Sequence, residues 1–308
     1  MKTVAICIAT YKRPQGLKRL LRSLSELRLK EHSDVAIQII VVDNDEFHTA
    51  REIAHQWRAL SPWPVTYDVE PKRGISHARN RLVRLATGNQ FIAFIDDDEI
   101  AHPCWLDELL SAQERFRSKI VAGPVVPRFE IDPPTWILNG RFFERRQHRD
   151  GELMDFAGTG NVLIKTSVME NRANPFDARL ALSGGSDTLF FLRLSSKGVR
   201  IAYTSKAKVE EFVPPSRMTV GWLCKRAYRG GNTYNICKHI IDDSKRWIPK
   251  RVLKGAVRIA MGTLLLFPAI FFGRIAFVKA LTTISDGAGG LAGIAGKKYL
   301  EYERIHGN

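Results

Sequence analysis

Over the first 127 residues, short apolar β-branched runs alternate with amphipathic stretches of helical period, and this alternation constrains the fold more than any other feature. Val4–Ala9 is such a run. Pro14 opens a helical stretch, Gln15–Leu27, with leucines at 17, 20, 21, 24 and 27 on one face. Ala36–Val42 predicts a second buried strand, Thr49–Leu60 a second helix and Val65–Val69 a third strand. Ile75–Ala86 is amphipathic, and Phe91–Ile95 predicts a strand that ends in a run of acids. Trp105–Arg117 predicts a helix and Ile120–Val126 a strand. Strands alternating with helices pair in parallel through right-handed crossovers, so the expected class is α/β with a mainly parallel sheet flanked by helices.

From Arg128 to about Pro215 the chain is irregular, broken by Pro133-Pro134, Gly158-Thr159-Gly160 and Gly184-Gly185. A helix over Asp187–Lys197 and strands near Val199–Tyr203 and Lys208–Phe212 interrupt it, and Met218–Tyr234 predicts a basic helix. Beyond, Ile259–Gly273 is a 15-residue uncharged run with Pro268 inside it. That is short for a spanning helix, which needs about 20 residues. Residues 217–258 carry eleven Lys or Arg against two Asp, a large part of the chain's net charge of +15. A basic segment beside a short apolar helix reads as an interfacial or re-entrant anchor on an anionic membrane surface, or as a core helix with a solvated basic face. Aromatics interleaved with basics on strands are missing, and clustered acids repel a phosphate backbone, so no nucleic-acid partner is expected. Cys7, Cys104, Cys224 and Cys237 lie far apart, which fits a reducing compartment. Met1 runs straight into a short strand with no signal core. The expected location is the cytoplasmic face of the cell membrane, reached through the C-terminal region.

In an open parallel sheet, ligands bind beyond the carboxyl ends of the strands. Thr10-Tyr11-Lys12-Arg13-Pro14 follows the first strand, Asp43-Asn44-Asp45 the second, and Asp96-Asp97-Asp98-Glu99 the strand Phe91–Ile95. Lys72-Arg73-Gly74 precedes the helix that carries Arg79. Four acids directly after an apolar strand repel one another, and a divalent cation, Mg²⁺ or Mn²⁺, resolves that repulsion. Asp43-Asn44-Asp45 reads as a solvated turn or as a hydrogen-bonding site for a base or ribose. Arg79, one turn into its helix, suits a diphosphate.

The set Ala9-Thr10-Tyr11-Lys12-Arg13-Pro14, Val42-Asp43-Asn44-Asp45, Gly74-Ile75-Ser76-His77-Ala78-Arg79-Asn80 and Phe94-Ile95-Asp96-Asp97-Asp98-Glu99 resembles glycosyltransferase family 2, with its GT-A fold. The resemblance covers roughly residues 1–235, and the nearest subgroup is the bacterial exopolysaccharide glycosyltransferases of succinoglycan type. It implies a donor-binding half over 1–127, an acceptor and catalytic-base half over 128–235, and a basic, apolar membrane-associating tail over 236–308. It implies inverting, metal-dependent transfer of a hexose, glucose from UDP-glucose, to a hydroxyl of a lipid-linked saccharide. Thr10, Tyr11, Arg13, Asp43, Asp45, Arg79, Asp96 and Asp97 would bind the donor nucleotide and Asp98 the metal. Asp187, on the turn Ser183-Gly184-Gly185-Ser186, would be the general base. Gly158, Thr159, Gly160 and Asn161, ahead of an edge strand Val162–Ile164, would shape the acceptor side together with Ser186.

Three departures qualify the resemblance. Ser186 replaces the usual Glu of the base turn. No histidine stands in Lys208–Arg217 as a further metal ligand, so either Glu210 or Glu211 substitutes or metal binding is weaker. The Q-x-x-R-W pattern of processive members is replaced by Trp222-Leu223-Cys224-Lys225-Arg226, so one sugar per encounter is expected. Arg217, Lys225, Arg226 and Arg229 read as contacts to a pyrophosphate or lipid head group, or as a solvated helix face. A nucleotidyltransferase on a similar sheet and a non-catalytic binding module are the competing readings. The first needs a glycine-rich basic loop where Thr10–Pro14 has no glycine.

Overall fold

A computed structural model describes residues 1–169 and 173–301. The last seven residues of the expected tail, 302–308, lie outside the described residues. The first half runs β1 (Thr3–Thr10), α1 (Pro14–Ser25), β2 (Ala36–Asp43), α2 (Arg51–Leu60), β3 (Val65–Val69), α3 (Ile75–Leu85), β4 (Phe91–Ile95), β5 (Glu99–Ala101), α4 (Trp105–Arg115), β6 (Ile120–Ala122) and β7 (Val125–Phe129). Then come α5 (Thr135–Gly140), β8 (Leu153–Met154), β9 (Asn161–Lys165), α6 (Ser186–Ser196), β10 (Ile201–Tyr203) and β11 (Val209–Val213). Three long helices close the described chain: α7 (Val220–Ile241), α8 (Ile248–Phe272) and α9 (Arg274–Ile294).

Eight strands form one sheet in the order β3-β2-β1-β4-β9-β6-β10-β8, and β5-β11-β7 form a second. Strand β1 pairs in parallel with β2 on one side and with β4 on the other. The chain therefore leaves β1 towards β2 and β3 and returns to its opposite side as β4, which puts a topological switch point between β1 and β4. The register Cys7↔Phe94, continued three residues, brings Thr10 beside Asp97 just past the strand ends.

Core packing fixes this arrangement. Leu17, Leu20, Leu21 and Leu24 of α1 are buried against Val4, Ile6 and Ile8 of β1 and Ile39 and Val41 of β2. Each such side chain contributes roughly 1.5–3 kcal/mol when fully buried. The other sheet face packs Ala78, Leu82 and Val83 of α3 and Phe190, Phe191 and Leu194 of α6.

Two expectations are corrected. Ile120–Val126 is not one strand. Gly123-Pro124 breaks it, sending β6 into the large sheet and β7 into the small one. A Cβ on Gly123 would stand 2.2 Å from the Ala207 carbonyl oxygen and 2.6 Å from Asn161 Nδ2, so only glycine permits the crossing. The strand Val162–Ile164 is not at an edge either: β9 lies between β4 and β6, antiparallel to both.

Asn161, at the start of β9, explains how the two sheets are tied. Its Oδ1 accepts from Trp105 Nε1 at 2.8 Å, and its Nδ2 donates to the carbonyls of Ala207 at 2.7 Å and Pro124 at 2.9 Å. It is buried at 3% exposure, committed to structure and off the cavity described below, unlike its expected acceptor-side role. Asn161→Ala strands buried polar partners at about 1–3 kcal/mol each. In a chain of this size that lowers the melting temperature by roughly 2–4 °C per kcal/mol. Thermal unfolding of the variant measures it; an unchanged midpoint would remove Asn161 from the tie.

Candidate active site

A cavity of about 330 Å³ opens at the switch point. Thr10, Tyr11 and Arg13 reach it from the end of β1, and Asp96, Asp97 and Asp98 from the end of β4. Arg73 and Arg79 line it around the start of α3, Gly158, Thr159 and Gly160 precede β9, and Asp187 stands in the first turn of α6. Arg145, Glu211, Arg217, Trp222, Arg226 and Arg229 complete the far side.

The acidic run is held by cations. Asp97, buried at 5% exposure, accepts from Thr10 Oγ1 at 2.8 Å and from Arg13 Nη1 at 3.1 Å. The same Arg13 nitrogen lies 3.1 Å from Asp98 Oδ2, which Arg217 Nη2 also reaches at 3.1 Å. Burial and the charge of Asp98 push the Asp97 carboxyl up to about 6, against the pull of Arg13. Glu99 is 1% exposed, and burial together with the charge of Asp96 holds its carboxyl well above the ordinary range. Its Oε2 accepts from the Asp96 backbone N–H at 2.9 Å. A Cβ on Gly160 would come 2.5 Å from Glu99 Oε1 and 3.2 Å from Asp96 Oδ2, so the loop before β9 packs directly on the acids.

Asn44 sets the next wall. Its Nδ2 donates to the carbonyls of Glu70 and Lys72, and its Oδ1 accepts from the Gly74 N–H at 2.6 Å. Gly74 has φ +132°, and a Cβ there would meet Ala181 at 2.6 Å. This turn launches α3 and places Arg79. Arg79 Nη1 donates to Ser186 Oγ at 3.2 Å, and Nη2 lies 3.9 Å from Asp96 Oδ1. Ser186 is fully buried and positions Arg79 instead of lining the acceptor side.

The base turn is also a glycine device. Gly184 and Gly185 have φ +76° and +85°, and Gly185 is the N-cap of α6. Asp187 Oδ1 accepts from the Thr188 N–H at 2.7 Å, and a Cβ on Gly158 would stand 3.9 Å from Oδ2.

Asp43 and Asp45 stand behind the cavity wall, not on it. Asp43 accepts from the N–H groups of Ala50 at 2.9 Å and Asp45 at 3.1 Å, and from Tyr67 Oη at 3.0 Å. Among the described residues Asp45 Oδ2 is buried without a hydrogen-bond partner. Glu210 pairs with Arg128 at 3.0 Å, away from the cavity. Glu211 faces it, paired with Arg145 at 2.5 Å and Arg217 at 3.1 Å. Burial raises the Glu211 carboxyl, but Arg145, Arg217 and Arg226 outweigh it and hold the group below its usual range. Arg145 escaped the sequence reading; it lies in an irregular stretch after α5, where no periodicity marks it.

Among the described residues no three His, Cys, Asp or Glu side chains form a ready metal cage. The donor set still fits Mg²⁺ or Mn²⁺, which take one or two hard carboxylates and complete their shell with water and substrate phosphates. Asp98 faces the cavity and offers such an oxygen.

A mainly parallel sheet with a charged cavity at its switch point and an acidic run after the central strand is the architecture of a GT-A glycosyltransferase. The profile described as Glycosyl transferase family 2 matches residues 5–172, and the chain belongs to that family. It is similar to the succinoglycan biosynthesis protein ExoM of Rhizobium meliloti, 34% identical over 232 residues that cover 75% of this chain and 74% of that one. The mannosyltransferase PcManGT from Pyrobaculum calidifontis, solved with GDP-Man and Mn²⁺, shares the fold with a TM-score of 0.65 at 16% identity, over 96% of this chain and 88% of that one. TarS of S. aureus, solved with UDP, superposes with a TM-score of 0.52 at 13% identity, over 96% and 92%.

The buried acids generate a pH signature. A carboxyl raised in the folded state keeps its proton longer than in the unfolded chain, so stability falls as pH rises past the ordinary carboxylate range. Glu99→Gln keeps an acceptor and removes the charge. The variant is expected to melt with wild type at pH 5 and several degrees above it at pH 8. Parallel melting curves at both pH values would show that the Glu99 charge is not strained.

Proposed function

We propose that this glycosyltransferase moves a single hexose, glucose from UDP-glucose, with inversion, onto a hydroxyl of a lipid-linked saccharide in exopolysaccharide synthesis. The carrying observation is that Asp98, Arg79 and Asp187, from three different elements, line one cavity at the switch point. Similarity to the succinoglycan protein supports the polysaccharide setting, and UDP in the TarS structure supports the nucleotide.

In this reading Tyr11, flanked by the cations of Lys12 at 5.4 Å and Arg73 at 5.3 Å, meets the base. Thr10, Arg13, Asp96 and Asp97 meet the ribose and phosphates. Asp43 and Asp45 act from behind, with the free Asp45 Oδ2 as an acceptor for a base N–H. Asp98, now held by Arg13 and Arg217, would be the residue to hold Mg²⁺ or Mn²⁺. Such an ion would supply Lewis-acid stabilisation to a departing diphosphate. Arg79 adds a fixed positive charge. Asp187 Oδ1 is anchored by the Thr188 N–H, so Oδ2 takes the acceptor hydroxyl's proton as the new bond to the anomeric carbon forms and the bond to the diphosphate breaks. Gly158 and Thr159 leave room for the acceptor beside it.

The C-terminal helices support a membrane-surface location. Helix α8 is 25 residues long and apolar enough to cross a membrane by length and composition. Ile259–Gly273 is therefore the second half of a longer helix, not an isolated short run. Helix α8 nevertheless packs along α9. A Cβ on Gly262 would stand 2.9 Å from the Ala280 carbonyl oxygen, and one on Gly287 2.8 Å from that of Gly255. Spanning would strip α8 from this contact. Lying in the interface keeps it and immerses the outward Leu264, Phe267, Ile270 and Phe271, which are 69–79% exposed.

Asp187→Asn is expected to cut turnover about 10²- to 10⁴-fold, the range of a positioned base. UDP affinity by calorimetry should stay within about twofold of wild type, given that range of effect on chemistry alone. Full turnover by the variant would reassign the base. For Asp98→Ala, UDP titrations with and without Mn²⁺ should coincide where wild type binds tighter with the ion. A retained Mn²⁺ effect would place the ion elsewhere.

A further inference from the structure

Helix α7 serves two cavities. Its first turns carry Trp222, Arg226 and Arg229 into the catalytic cavity. Its later turns line a second, open cavity of about 620 Å³, which they share with α8 and α9. Lys238 of α7 and Lys250, Arg251, Lys254 and Arg258 of α8 face that space, and one carboxylate, Asp286 of α9, answers them. Asp286 is taken up by Arg258. Among the described residues the other four cations have no carboxylate within ion-pair distance, so the cavity holds a large uncompensated charge. Arg251 is fixed over the Tyr234 ring at 3.9 Å, and Trp247 stands at the same wall.

A second observation points to a ligand. Asn235 lines the cavity at 4% exposure. Its Nδ2 donates to the Gly290 carbonyl at 2.8 Å, but its Oδ1 is buried with no hydrogen-bond partner among the described residues. A buried acceptor left open costs free energy unless a donor arrives. A ligand complementary to this lining carries an anion for the cations and a hydroxyl or ammonium donor for Asn235.

We propose that this cavity binds the head group of an anionic glycerophospholipid, its phosphate among Arg251, Lys254 and Lys238 and its terminal hydroxyl on Asn235. Continuity with the apolar face selects a lipid over a free phosphate. Lys250, Lys254 and Arg258 recur one or two turns apart along α8, beside the outward Leu253, Val257, Met261 and Leu264, which are 45–74% exposed. A head group there leaves its acyl chains along that face. The site rests on the membrane-surface reading above and adds to it: because α7 lines both cavities, a held head group fixes the catalytic cavity's orientation to the bilayer.

The test uses the full chain and sedimentation with vesicles of phosphatidylcholine alone or with 30% phosphatidylglycerol, a composition of about one anionic lipid in three. Wild type should prefer the anionic vesicles by about tenfold or more, as several neutralised phosphates imply. Lys238→Gln/Lys250→Gln/Lys254→Gln should lose that preference while still binding both vesicles through the apolar face. Lys245→Gln/Arg246→Gln/Lys279→Gln, equal in charge change but off the cavity, should retain it. Equal loss in both triple variants would make the preference diffuse electrostatics and overturn the site, as would its full retention in the first. Soluble dioctanoyl-phosphatidylglycerol should displace wild type from anionic vesicles at concentrations where inorganic phosphate does not; equal displacement by phosphate overturns the lipid assignment. Leu264→Glu/Phe267→Glu should abolish binding to both vesicles. If wild type binds neither vesicle, the membrane-surface reading fails first, and the site with it.

Discussion

Three carboxylates leave β4 at the point where the sheet changes direction, and the structure depends on how their charge is met. The parallel register decides that they arrive there at all: β1 and β4 end side by side, so Thr10 meets Asp97 and Arg13 meets both Asp97 and Asp98. Arg217 arrives from far along the chain to share Asp98. Two guanidiniums on one carboxylate balance its charge at the cavity wall. A fully apolar switch point would be more stable and could not bind a nucleotide diphosphate.

The remaining site geometry follows from places where side chains are excluded. Gly74 and Gly160 let backbone approach backbone or carboxylate more closely than a Cβ permits, and Gly184-Gly185 supply the positive φ of the base turn. Their effect is positional: Gly74 aims α3 and with it Arg79, Gly185 starts α6 one residue before Ser186, and Ser186 then holds Arg79. Arg79 and Asp187 are thus fixed through the same turn, one by hydrogen bond and the other by helix position.

Local order explains what the sequence made legible. The alternation through Ile95 marked β1 to β4 within a residue or two, and the acids, Arg79 and Asp187 fell in the cavity because each sits at a fixed offset from a strand end or a glycine turn. What escaped depended on distant partners. Val125 and Val126 continue a β-branched run, so nothing local showed that Gly123-Pro124 hands the chain to another sheet. Asn161 sits in a motif of small polar residues, and only Trp105, Pro124 and Ala207, brought in from other elements, commit it to structure. Asp43 follows the same logic: Ala50 and Tyr67 draw its carboxylate away from the cavity. Arg145 lacked any periodic context, and its role is set by Glu211, across the small sheet.

The C-terminal helices show composition and packing giving different answers about one segment. By composition α8 can cross a bilayer; by packing it is one layer of a stack in which α9 lies between α7 and α8. Glycines and alanines on α9 let both neighbours come close: a Cβ on Gly289 would stand 1.9 Å from the Tyr228 carbonyl oxygen, and one on Gly293 2.5 Å from that of Asn232. Buried Asn232 adds hydrogen bonds to the carbonyls of Gly289 and Lys297. Such contacts stay intact only if α9 remains on the globular domain, and α8 is tied to α9 through the single residue Gly273. A helix held at both ends of a hairpin and along its inner face can offer a bilayer only its outer face, which is why the apolar side chains concentrate there.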